Sequence, residues 1–329
     1  MKRKLLSALL GAAMLGTMLV GCGSSADKAA DTSTAAVSTP EAAAASTPAA
    51  DKKFKVYLIT MDQMDQYWVN IDAGAKKAAA ELGNVEYKWS APDVKDDAKQ
   101  IECINNAVAD KADAILLAAN GPDAVTAALK EAQAAGVKIV YVDSAAKFDG
   151  EATFATDNTA AGKTAGEEMK KALEAAGQTS GKIGIINVNA ATASCVARET
   201  GFRSAFEGSK FELLATQYGE GDAAKSKDIA ANYITSGVVG IFGTNEGSTV
   251  GAGNAIQEAG GKVIGVGFDK SDTILSLIKD GVLLATMAQN PDVMGEKGVK
   301  AAVDALQGKS LGGAVTDTGV SVINKANIK

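Results

Sequence analysis

From Phe54 onward, short β-branched apolar runs alternate with longer amphipathic ones, and this alternation narrows the possible folds more than any single motif does. The runs 55–60, 85–89, 114–118, 137–142, 182–188, 212–218, 238–242, 263–268 and 283–288 read as strands. Between them apolar residues recur at helical spacing. Ile71, Ala75, Ala78, Ala79 and Leu82 fall on one face at i, i+4, i+7, i+8 and i+11. Strands that are apolar throughout, each followed by a helix, make parallel sheets covered on both faces. Abundant alanine lets those helices lie close to the sheet. The runs could form one large sheet or two smaller ones. A length of 329 residues with 47% hydrophobic content suits two lobes.

Open α/β sheets bind ligands at the carboxyl ends of their strands. The residues that follow each run are therefore the candidates. Asp65, Gln66, Tyr67 and Trp68 follow the first, Asn120 to Asp123 the third, and Asp143-Ser144 the fourth. Later runs are followed by Thr192 to Arg198, Glu220-Gly221-Asp222, Thr244-Asn245-Glu246, Asp269-Lys270 and Gln289-Asn290. No GxGxxG follows the first strand and no GxxxxGK[ST] occurs, so phosphate is not the expected ligand. A sugar offers faces of C–H bonds and a rim of hydroxyls. Aromatic rings cover the faces, and acids, amides and an arginine pair the rim. In a chain with only 5% aromatic residues, Tyr67 and Trp68 beside Asp65 read as a stacking surface for a small polyol. Asp143, Arg198, Asn245, Asp269 and Gln289 supply the rim. Duller roles compete: Asn245 and Asp269 stand where helix N-caps stand, and the aromatic pair could be core.

The segments DQYWVNIDAGAKKAAAELG, GVKIVYVDS, ATDNTAAGKTAGE, ARETGF, IFGTNE, VIGVGFDKSD and LLATMAQNPDVMGEKGV follow one another in the order found in ribose/galactose-type periplasmic (type I) binding proteins. From Lys55 to the C-terminus the chain resembles that family, the solute receptors of sugar ABC transporters. The resemblance implies an α/β fold of two Rossmann-like parallel-sheet lobes joined by a three-segment hinge. It implies an N-terminal lobe of 54–156 plus 290–318 and a C-terminal lobe of 157–289 plus 319–329. It also implies ligand contacts from Asp65, Tyr67, Trp68, Asn120, Asp143, Ser144, Arg198, Asn245, Asp269 and Gln289. An acid at Asp65 resembles the glucose/galactose members more than the ribose ones. Two positions depart from the family. Ser144 stands where ribose proteins carry an arginine, and Gly221 stands where another aromatic is usual, so a roomier second-lobe side is expected. The calcium loop of the glucose/galactose members has no counterpart, and neither metal nor cofactor is expected.

The N-terminus reads as a targeting segment. Lys2, Arg3 and Lys4 precede an apolar stretch from Leu5 to Val20 that ends in Leu19-Val20-Gly21-Cys22. That ending resembles the lipobox of bacterial lipoproteins, which implies a signal peptide over 1–21 and lipidation of Cys22. Residues 22–53 carry Ala, Ser, Thr, Pro and Asp with little to bury, so a disordered tether is expected there. The implied location is the extracytoplasmic face of a membrane, held by acyl chains.

Bulk composition removes several functions. A net charge of −6 with dispersed lysines disfavours nucleic acid. The absence of histidine removes the commonest general base and metal ligand. Cys22, Cys103 and Cys195 have no metal-site spacing, and no disulfide is expected between Cys103 and Cys195. Capture of a pentose or hexose for an ABC permease and its ATPase, by a monomer, is the leading expectation. A sugar or autoinducer-2 receptor for chemotaxis or signalling is the alternative, and no enzyme activity is expected.

Overall fold

The computed structural model describes residues 53–328. The expected signal peptide over 1–21, Cys22, and all but the last residue of the expected tether over 22–53 lie outside the described residues.

The first lobe opens with β1 (Phe54–Ile59), α1 (Gln66–Leu82), β2 (Val85–Ser90), α2 (Asp97–Ala109), β3 (Ala114–Leu117), α3 (Thr126–Ala134), β4 (Lys138–Val142) and β5 (Ala152–Ala155). The second holds α4 (Asn158–Ala175), β6 (Gly181–Asn187), α5 (Ala193–Ala205), β7 (Phe211–Leu213), β8 (Gln217–Tyr218) and α6 (Ala223–Thr235). It continues with β9 (Val238–Gly243), α7 (Glu246–Glu258), β10 (Ile264–Phe268), α8 (Asp272–Lys279) and β11 (Leu283–Gln289). The chain returns to the first lobe for α9 (Pro291–Leu306) and β12 (Ala314–Asp317), then ends in the second with β13 (Val320–Asn324).

The first sheet runs β12-β5-β4-β3-β1-β2 and is parallel throughout. The second runs β13-β11-β10-β9-β6-β7, with β8 also on β6. Its last strand, β13, is antiparallel to β11. Alternation along each strand explains why the runs are apolar on both sides. Val56 and Leu58 pack with Ile71, Ala75 and Met294 on one face. Ile59, Ile115 and Leu117 pack with Ile104 and Leu129 on the other. Each fully buried Leu or Ile contributes roughly 1.5–3 kcal/mol. Leu82 departs from its expected face: at the last turn of α1 it is largely exposed. Helices α1 and α9 touch through glycine, since a Cβ on Gly74 would overlap the carbonyl of Asp292 and one on Gly295 that of Ile71.

The run 212–218 was expected as one strand but is divided into β7 and β8. Side chains take the intervening backbone: Arg203 donates to Leu214 O (3.1 Å) and the Tyr233 hydroxyl to Ala215 O (2.7 Å). Strands β5, β12 and β13 did not read as strands at all. They flank the passages between lobes, which occur at 156–157, at 290 and at 318–319. Side chains tie these passages together. Asn290 Nδ2 donates to Thr318 O (2.8 Å), and Thr318 N and Oγ1 both donate to Ala155 O (2.7 and 3.1 Å).

Candidate functional site

Strand β1 delivers the chain to Asp65, and the first turn of α1 then sets two rings side by side. Tyr67 and Trp68 meet edge to face, centroids 5.0 Å apart at 77°. Both rings are buried in the first lobe's core as well as in the cleft wall. The Tyr67 hydroxyl donates to Asp143 Oδ1 at 2.8 Å and lies 3.4 Å from Gln289 Oε1. Gln289, at the end of β11, also accepts from Thr156 Oγ1 (2.9 Å) and donates through Nε2 to Asp269 Oδ1 (2.6 Å). Thr156, Gln289 and Asp269 therefore form one chain of hydrogen bonds from the hinge into the second lobe, and the Tyr67 hydroxyl, its proton given to Asp143, lies beside it.

Arg198 comes from α5 and is held on every side. Its Nε donates to Asn158 Oδ1 (2.7 Å), its Nη1 to Thr244 O (2.9 Å), and its guanidinium lies 4.3 Å over the Phe268 ring. Nη2 sits 3.7 Å from Asp143. Asn245 is the N-cap of α7, its Oδ1 accepting from Ser248 N (3.2 Å). Its amide nitrogen stays outside full hydrogen-bond geometry with every protein group but lies close enough to Asp65 to favour that carboxylate's charged form. Asp269 is not the cap of α8, because Ser271 fills that role, and its carboxylate is left to the cleft.

Asp65, Tyr67, Trp68, Asp143, Arg198, Asn245, Asp269 and Gln289 line one cavity, with Met61, Lys95, Val188, Ser194 and Cys195. Asn120 and Ser144 do not line it. Asn120 is bound instead to Asp97 (2.5 Å) and Gln100 (2.9 Å), and its carbonyl accepts from Thr192 Oγ1 of the other lobe (3.0 Å). Ser144 lies behind, its carbonyl accepting from Ala119 N (2.8 Å).

The cavity sets acceptors against donors. Burial pushes the carboxyls of Asp65 and Asp143 upward, and that of Asp269 up to about 6 although Arg198 and Gln289 oppose it. Three buried donors of the lining residues have no hydrogen-bond partner in the protein: Trp68 Nε1, Arg198 Nη2 and Asn245 Nδ2. A buried donor left unpaired costs roughly 1–3 kcal/mol, so a ligand rich in hydroxyls would recover that cost. The Cys195 thiol is pushed up by burial, which keeps it a poor nucleophile.

Lys95 was missed. It follows β2, and in the charged stretch DVKDDAK it looks solvated. Its side chain is 4% exposed and its ammonium is paired with Asp62 and, at 3.1 Å, with Asp65. Burial works against the charge, but Asp65 and Asp62 outweigh it and hold the ammonium above its usual range. Lys95 also corrects the expectation of extra room at Gly221. A Cβ on Gly221 would lie 2.5 Å from Lys95 Nζ and 2.8 Å from Cε. The space an aromatic would fill is taken from across the cleft by a lysine.

Comparison with known proteins agrees with this geometry. The periplasmic binding protein domain family matches residues 56–310. The ribose import binding protein of Haemophilus influenzae is 31% identical over 82% of this chain and 90% of its own length. Among solved structures, an ABC transporter solute binding protein from Agrobacterium vitis with bound D-fucose has a TM-score of 0.78 and 32% identity, covering 83% of this chain and 96% of that one. A carbohydrate transporter solute binding protein from Agrobacterium radiobacter in complex with D-arabinose has a TM-score of 0.79 and 31% identity, covering 84% and 95%. Fold, motif order and sequence match converge: this chain belongs to the periplasmic binding protein domain family.

Proposed function

We propose that the chain captures one uncharged monosaccharide, a pentose or a hexose, in the cleft between its lobes and hands it to the permease of an ABC transporter. The observation that carries this reading is the convergence of rings, carboxylates and unpaired donors from both lobes and the hinge on one cavity. Its supports include relatives described as binding ribose, D-fucose and D-arabinose. Asp65, Asp143, Asp269, Asn245, Arg198 and Gln289 pair the hydroxyls, while Tyr67 and Trp68 wall the ring. Asn120 and Ser144 shape the loops behind them. The chain binds and does not transform its ligand.

The lobes are taken as 54–156 plus 290–318 and 157–289 plus 319–329, which the three passages support. The protein works outside the cytoplasm as a monomer, anchored through acyl chains on Cys22. Replacing Cys22 with Ser should release it from membranes, and light scattering should give the mass of one chain.

A thermal-shift screen with D-ribose, D-arabinose, D-allose, D-fucose, D-galactose and D-glucose tests the central reading. A sugar at 100 times its dissociation constant adds about 2.7 kcal/mol, so at least one should raise the melting temperature by several degrees. No shift with any of them would reject it.

A further inference from the structure

Two helices that face the cleft are capped from the opposite lobe. Helix α1 begins without a cap of its own: Asp65, at its N-cap position, makes no side-chain capping bond, and the first turn holds no acidic residue. Its first two N–H groups, those of Gln66 and Tyr67, donate instead to Glu246 Oε1 (3.0 Å) and Oε2 (2.9 Å). Glu246 opens α7 in the second lobe and is 7% exposed. The exchange is mutual. Gln66 Oε1 accepts from the backbone N–H of Asp272, the first residue of α8 (3.1 Å).

The start of a helix presents several N–H groups with no partner inside the helix and a partial positive charge. With the lobes apart, water serves those groups. With the lobes together the α1 groups are satisfied by Glu246, so the bonds exist only in the closed form. Glu246 does not line the cavity. What it holds is the backbone of Tyr67, whose hydroxyl reaches Asp143.

We propose that Glu246 and Gln66 form a clasp across the cleft that holds the closed form and positions Tyr67 without touching the ligand. The clasp rests on the reading of the cleft as a monosaccharide site that closes. Glu246→Ala removes the cap and should raise the dissociation rate about 10-fold, the order of a lost N-cap. The association rate should stay within about 2-fold. Glu246→Gln keeps an acceptor oxygen and should recover most of the loss. Gln66→Ala, on a partly exposed side chain, should raise the dissociation rate by a smaller factor, about 3-fold.

The test uses the mature protein with D-ribose, D-arabinose and D-fucose as probes, stopped-flow fluorescence for both rates, and melting of the unliganded protein. A clasp leaves the unliganded melting temperature of all three variants at the wild-type value. If the wild type binds a probe and both Glu246→Ala and Gln66→Ala release it at the wild-type rate, the clasp is overturned and the sugar site stands. If the rates change only together with lost stability of the unliganded variants, the role is structural and the clasp is again overturned. If the wild type binds no probe, the sugar reading fails and the clasp fails with it.

Discussion

Asp143 and Asp269 occupy equivalent places in the two lobes. Each follows the strand that lies next but one to its sheet's first strand in chain order, β4 beyond β3 from β1, and β10 beyond β9 from β6. Each has its backbone N–H bonded to the neighbouring strand, Asp143 to Phe154 O (2.9 Å) and Asp269 to Met287 O (3.0 Å). Each turns left-handed, with φ of 61° and 77°. That conformation costs an L-residue about 1–2 kcal/mol and is best tolerated by Asp and Asn. The twist aims both carboxylates into one cleft, so the backbone strain sits in the wall of the cavity.

Replacing either aspartate with Asn should keep the turn while exchanging one acceptor oxygen for a donor. Affinity for the bound sugar should fall by about 1.5–3 kcal/mol. Replacement with Ala should cost similar affinity and further lower the melting temperature, because alanine tolerates the left-handed turn less well. Calorimetry and thermal unfolding on the same samples separate the two effects. An Asn variant with wild-type affinity would exclude that carboxylate from the ligand's partners.

Lys95 is the counter-ion of Asp62, which is fully buried, and of Asp65. Removing one partner of a buried pair leaves the other uncompensated, a loss of about 3–5 kcal/mol. Lys95→Met should therefore destabilise the protein strongly, whereas Lys95→Met with Asp62→Asn should recover much of it. Urea unfolding of the two variants gives the comparison. A small effect of Lys95→Met alone would mean the acids are satisfied without the lysine.

Gly221 faces Lys95 across the cleft with φ of 76°. An alanine there meets a strained backbone, about 1 kcal/mol, and the lysine ammonium. Gly221→Ala should weaken sugar binding about 10-fold or more by obstructing closure. Adding Lys95→Ala should relieve the steric part, giving a favourable coupling in a double-mutant cycle. Additive effects would show that the two residues do not meet when the sugar is bound.

The strand ends were legible because continuous apolar runs mark buried parallel strands, and ligands of such sheets gather at one end. That reasoning located Arg198, Asn245 and Asp269 in the second lobe from sequence alone. It could not locate β5, β12 and β13, whose stretches ATFA, AVTD and VSVIN are short, largely half-buried or exposed, and lie at or next to the sheet ends beside the passages. Lys95 was illegible for a different reason: a lysine among aspartates looks solvated until the fold buries it against Asp62 and Asp65, some thirty residues earlier. Glu246 was visible after its strand, but its partner is the start of a helix in the other lobe, and no local pattern announces a bond between Glu246 and Tyr67 N.

Closure should take up protons. In the closed form burial pushes the Glu246 carboxyl up to about 8, with Asp65 and Asp269 adding repulsion, and pushes Asp269 up to about 6. Lys95 is paired with Asp62 and Asp65, and Arg198, which also lies near Asp143, opposes the rise at Asp269 without cancelling it. With the lobes apart these acids meet water and titrate near ordinary carboxylate values of about 4. A group whose pKa is higher in the closed form favours closure when protonated. The contribution is complete below about pH 4, fades as pH rises, and is gone above about pH 8. Glu246 titrates across about pH 6 to 8, and Asp65 and Asp143, whose carboxyls burial also raises, act in the same direction. Sugar affinity should therefore weaken there by up to tenfold per pH unit, and calorimetry in buffers of different ionisation enthalpy should show uptake approaching one proton near pH 7. Glu246→Gln should flatten that range while leaving the Asp269-dependent rise in affinity below about pH 6. A wild-type affinity constant from pH 6 to 8 would mean that Glu246 stays ionised against the start of α1.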